Sequence, residues 1–136
     1  MNYFIKQNTL KGIITLGLCI LCSLVSAQDE LINSVKVAIK AGNHKDLVNH
    51  FNEMIDLGFD GEKRSYSKTQ AEFVLKDFFI KYPPTDFQYV HKGASKEGLT
   101  YTIGNYQSKS TAFRVLVYIK DFKGAYKIDY LDFSRE

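Results

Sequence analysis

A chain of 136 residues, 45% apolar and 24% charged, has ordinary globular composition and room for one domain. A formal charge of +3 with no long Lys/Arg run excludes a strongly basic nucleic-acid binder, so no nucleic-acid partner is expected. The oddities are nine Tyr and ten Phe without a Trp, and two neighbouring cysteines, Cys19 and Cys22.

Residues 1–27 read as a signal peptide. Lys6 and Lys11 make a positive start, and the run Ile13–Val25 is apolar apart from Thr15, Gly17 and Ser23. Val25-Ser26-Ala27 supplies the small side chains that a signal peptidase accepts, which places the cut after Ala27. An uncleaved anchor is the alternative, but an apolar run of about thirteen residues falls short of the ~20 that a spanning helix needs. Leu18 and Leu21 stand before the cysteines where lipidation requires a small residue. No stable membrane insertion is therefore expected after cleavage. The remaining 28–136 form a domain of 109 residues, nearly neutral, with nine Phe, eight Tyr and no cysteine. Such a domain has to be held by its core, and thiolate chemistry is excluded.

The first mature segment has helical spacing. Leu31, Ile32, Val35, Ala38 and Ile39 form a stripe that ends at Gly42. Asn43 can cap a second helix with Asp46 in its first turn and Leu47, Val48 and Phe51 on its buried side. Ile55, Leu57 and Phe59 alternate as a strand closed by the turn Asp60-Gly61-Glu62. Ser67 and Gln70 then make a capping box ahead of Ala71, Val74, Leu75, Phe78, Phe79 and Tyr82, and Pro83-Pro84 stops that helix.

Beyond Pro84 the period changes from 3.6 to 2, and strands are predicted over 86–92, 99–107, 112–120 and 125–133. Their short connections make them antiparallel neighbours. Phe87, Tyr89 and His91 alternate onto one face; Tyr126, Ile128 and Tyr130 share a face opposed to Leu131 and Phe133. Large apolar groups on both faces imply that the second is covered by another chain or left as a patch. The order ααβαββββ is α+β, with helices packed on a curved antiparallel sheet.

That order resembles the cystatin-like cone of the nuclear transport factor 2-like superfamily. The stretches Tyr66–Ala71, Leu75–Phe79, His91–Gly98 and Phe113-Arg114-Val115 are similar to a family of small exported proteins, domain of unknown function 4783. The resemblance implies export to the periplasm or cell envelope of a Gram-negative bacterium, and it brings no activity or catalytic residue.

The residues themselves demand no catalysis. His44 and His50 are six apart rather than the i,i+4 of a helical metal pair, and no metal or cofactor is expected. No nucleophile elbow or phosphate-cradling Gly-rich loop occurs. Phe87, Tyr89, His91, Tyr101, Tyr126 and Tyr130 either line a pocket for a small apolar ligand or simply fill the core. Leu116, Tyr118, Leu131 and Phe133 are the expected outer-face interface, which would make a homodimer. The leading expectation is a non-enzymatic ligand- or protein-binding module. The alternative is a small isomerase- or dehydratase-like enzyme that pairs His91 with a carboxylate such as Asp56 or Asp129 in the cone.

Overall fold

The computed structural model describes residues 26–95 and 99–136. Most of the expected leader, including Cys19 and Cys22, lies outside the described residues. The chain divides into two compact units, 1–30 and 31–136. In the first, the Ser26 Oγ accepts from the Asp29 amide at 3.2 Å, an N-cap that opens helix α1 (Ala27–Ala41). The second unit holds the fold.

Helix α1 ends as its sequence dictates. The amides of Gly42 and Asn43 donate back to the carbonyls of Ile39 and Ala38 at 3.0 and 2.9 Å. Closing that loop needs a left-handed residue, and Gly42 supplies it at φ 63°. Asn43 then accepts from the Asp46 amide at 3.1 Å and caps α2 (His44–Asn49). Phe51, expected on α2, instead opens strand β1 (Phe51–Phe59) and is buried there.

Strand β2 (Glu62–Ser67) was not legible in the sequence, so the observed order is ααββαββββ. Glu62, Lys63, Arg64 and Ser65 are all exposed, which leaves no apolar alternation to read. The strand exists because Asp60 (φ 52°) and Gly61 (φ 87°) turn the chain back onto β1 in antiparallel register. Its charges suit an edge position. Ser67 and Gln70 form the reciprocal capping box that starts α3 (Lys68–Lys81).

Strands β3 (Pro84–Ala94), β4 (Thr100–Ser108), β5 (Ala112–Phe122) and β6 (Ala125–Arg135) form an antiparallel meander. The six strands make one sheet in the order β2-β1-β6-β5-β4-β3, with β1 and β6 parallel. On its inner face Phe51, Ile55, Leu57, Phe87, Tyr106, Val115, Val117 and Leu131 join Val35, Ile39, Leu47, Leu75 and Phe79 of the helices in one core.

Two register shifts decide which side chains face inward. Between β5 and β6, Tyr118 pairs with Tyr130 but Ile119 pairs with Ile128, so Asp129 is an extra residue. Alternation changes phase there. Leu131 and Phe133, expected on the outer face, are therefore fully buried in the core. Tyr130, expected inside with Ile128, lies on the outer face against Tyr118. The shift is favoured because burying Leu and Phe stabilises by roughly 1.5–3 kcal/mol each, whereas a regular strand would drive the Asp132 carboxylate inward. On β3, Tyr89 pairs with Gly104 and His91 with Ile103, which makes Val90 the extra residue. His91 consequently turns away from Phe87 and Tyr89 and stands exposed on the outer face.

Candidate functional site

The inner aromatic residues mostly fill space. Phe87 and Tyr106 are fully buried, and Phe87 meets Tyr89 edge-on at 5.2 Å. The Tyr89 hydroxyl donates to the Ile32 carbonyl at 2.8 Å, and the Tyr106 hydroxyl donates to the Tyr82 carbonyl. Burial pushes both phenols well above their ordinary pKa. These hydroxyls tie helix backbone to sheet. Tyr126 packs half-buried against the core.

The rings reach the surface at the other end of α3. Phe78 is the hub of that cluster, with Phe133 at 4.3 Å, Phe113 at 5.2 Å, and Phe59 and Tyr82 at 5.4 Å between ring centroids. Phe59 also lies parallel to Phe133 at 5.8 Å. Beside them Phe59, Val74, Phe78, Tyr82 and Phe113 line a groove of about 290 Å³. Its rim carries Asp60, Asp77, Lys81 and Arg135. The Arg135 guanidinium bridges the rim, 3.2 Å from the Asp60 carboxylate and donating to the Tyr82 hydroxyl at 2.7 Å. The Arg135 amide also donates to Asp60 at 2.8 Å, so the turn after β1 is tied to the end of β6. The groove is thus apolar inside, with Arg135 and Asp60 paired at its rim.

The outer face carries a different set. The His91 Nε2 lies 3.2 Å from the Tyr101 hydroxyl, Tyr101 meets Tyr118 at 6.4 Å, and Tyr118 stacks on Tyr130 at 5.5 Å. Lys63 stands 5.2 Å from the Tyr130 ring and 3.1 Å from the Asp56 carboxylate. The Ser65 hydroxyl donates to Asp56, and this hydrogen bond chiefly holds its carboxyl below the ordinary value. Burial, with Asp132 nearby, raises Tyr130. His91 and Asp56 thus share the outer face, on strands at opposite sides of the sheet. Neither lies in the cone.

Of the six residues expected around a pocket, Phe87, Tyr89 and Tyr126 lie inward and His91, Tyr101 and Tyr130 outward; none lines the groove. Of the expected interface, Leu116 and Tyr118 are half-buried on the outer face. The groove residues were visible in part. Tyr82 ends a helical stripe just before two prolines, and Phe59 precedes a turn, both marks of an element end where a ring reaches solvent. Among the described residues no group of three or more His, Cys, Asp or Glu side chains could hold a metal ion. No helix among them is long and apolar enough to cross a membrane.

The profile described as "Domain of unknown function (DUF4783)" matches residues 32–134. The chain belongs to the DUF4783 family. Its fold matches that of a DUF4783 family protein from Bacteroides ovatus, at 23% identity, TM-score 0.71, and coverage of 76% of this chain and 93% of that one. A DUF4783 protein from Bacteroides fragilis is similar at 23% identity and TM-score 0.71, covering 76% of this chain and 96% of that one. An NTF2-like protein of unknown function from Burkholderia xenovorans shares 15% identity at TM-score 0.59, over 81% and 84% of the two chains. No curated protein matches. The DUF4783 chain therefore has an NTF2-like α+β fold, as its element order led us to expect.

Proposed function

We propose that this DUF4783 protein is an exported binding module that seats a small apolar or aromatic group in the groove beside α3. One observation supports it: the groove is the place where the Phe78 cluster opens to solvent, floored by four rings. Its volume of about 290 Å³ lies at the lower end of ligand sites, which favours a ring-sized group over an extended chain. Arg135 and Asp60 satisfy each other at the rim, so the groove offers shape and apolar contact more than a strong net charge.

The probe is 1-anilinonaphthalene-8-sulfonate, whose fluorescence rises in apolar surroundings. The folded protein is expected to bind one molecule saturably. Val74→Trp fills the groove from α3 and is expected to weaken binding about tenfold or more, ~1.4 kcal/mol. Phe73→Trp, on the solvent side of the same helix, leaves binding unchanged. Absence of saturable binding, or equal binding by the Val74 variant, overturns the reading. Export is tested separately by the intact mass of protein from the periplasmic fraction, where a mature N-terminus at Gln28 is expected and a retained Met1 refutes cleavage.

A further inference from the structure

The rim of the groove beside α3 is charged unevenly. On one side Arg135 and Asp60 satisfy each other: the guanidinium stands 3.2 Å from the carboxylate, which also accepts from the Arg135 amide. On the other side α3 carries Asp77 and Lys81, both lining the groove and both exposed. They stand about one turn apart on one helix, with Cβ atoms ~5–6 Å from each other, a spacing at which opposite charges commonly pair. Here they do not. The Lys81 ammonium lies 5.4 Å from the centroid of the Tyr82 ring instead, and Asp77 has no hydrogen bond or ion pair among the described residues.

The rim also has a direction. The Arg135 guanidinium lies 5.7 Å from the same Tyr82 ring, so cations flank that ring from both α3 and β6. The Tyr82 hydroxyl accepts from Arg135 at 2.7 Å and keeps its own proton to donate. The Tyr82 end of the groove therefore suits an anion. Asp77, about one turn back along α3, suits a cation.

We propose that the groove takes a free aromatic α-amino acid, with its ring on the Phe78 cluster, its carboxylate on Lys81 and the Tyr82 hydroxyl, and its ammonium on Asp77. This rests on the groove reading above and names the class of ligand. An α-amino acid carries both charges on one carbon just beyond the ring, so two unpaired groups a helical turn apart engage both together. A hydrocarbon leaves both rim charges unused, and a ligand with a single charge leaves one of them. The volume of about 290 Å³ holds one ring with such a short head. Water screens charges at an exposed rim, so the apolar floor supplies most of the affinity and the charges supply selectivity.

The probes are L-tryptophan, tryptamine, which lacks the carboxylate, and indole-3-propionate, which lacks the ammonium. The chain contains no Trp, so with protein in excess the anisotropy of the indole fluorescence reports binding directly. L-Tryptophan is expected to bind at least about threefold more tightly than either analogue. Asp77→Asn is expected to weaken L-tryptophan and tryptamine and to leave indole-3-propionate unchanged. Lys81→Gln is expected to weaken L-tryptophan and indole-3-propionate and to spare tryptamine. Both side chains are exposed, so an unchanged circular dichroism spectrum is expected of each variant, and Asp77→Asn should still bind 1-anilinonaphthalene-8-sulfonate. If the wild type fails to bind that dye, the groove reading falls and this inference with it. If the dye binds while the three indoles bind alike or not at all, or each variant weakens all three equally, the amino-acid proposal alone is overturned.

Discussion

Replacing Phe78 by alanine is expected to destabilise the domain by about 3–5 kcal/mol, the range for deleting a buried aromatic ring. Phe78 is 8% exposed and its ring contacts six other aromatic rings. Those rings come from β1, α3, β4, β5 and β6, so the cavity left behind is walled by side chains fixed on different elements and cannot collapse easily. Because 1 kcal/mol shifts the melting temperature by ~4–8 °C in a domain of this size, a fall of at least ~12 °C is expected by differential scanning calorimetry. A fall of only a few degrees would show that the cluster closes over the gap. Phe78→Leu, which keeps most of the volume, should retain the greater part of the stability.

Gly104→Ala carries the second large effect, through crowding rather than loss. A Cβ there would stand 2.5 Å from two carbons of the Phe87 ring and 3.1 Å from the Gln88 carbonyl oxygen. Phe87 is fully buried, and the carbonyl is main chain, so neither neighbour can yield freely. Overpacking of this kind costs about 1–3 kcal/mol. Gly93→Ala makes an equally short contact, 2.5 Å, but with the Tyr101 ring on the half-exposed outer face. That ring can swing outward, so urea titration should find Gly93→Ala much the milder of the two. Trimming the obstacle should separate the causes: the double variant Gly104→Ala, Phe87→Leu is expected to lose less than the sum of its single changes.

Elements announced by local chemistry were legible: the Ser67–Gln70 box, the Asn43 cap and the Pro83-Pro84 stop bound helices where the spacing places them. Strand alternation was legible only until a register shift. One extra residue at Val90 and one at Asp129 reverse the faces of His91, Tyr130, Leu131 and Phe133, and neither residue is a glycine or proline that would mark the irregularity. The cause lies in the neighbouring strand, whose pairing the sequence does not display. Strand β2 is hidden for a related reason, since its place depends on the ladder with β1 and not on any apolar side of its own. The groove is assembled from the ends of α3, β1, β5 and β6, which lie far apart in the chain, so local spacing could reveal its members but not their meeting.

The parallel contact between β1 and β6 has a consequence for the order of events in folding. Asp60 is tied to Arg135 across 75 positions, and β1 has no antiparallel neighbour besides β2. A chain that emerges amino end first, from a ribosome or a translocation pore, therefore holds its opening helices and the β1–β2 hairpin without the strand that secures them. The meander of β3–β6 can zip by local closure, but the sheet is completed only when β6 arrives. Closing so long a loop is slow compared with hairpin formation. Until then the edge of β1 that pairs with β6 keeps its backbone N–H and C=O groups unpaired and available to a holding chaperone. The last strand thus acts as the latch of the whole domain.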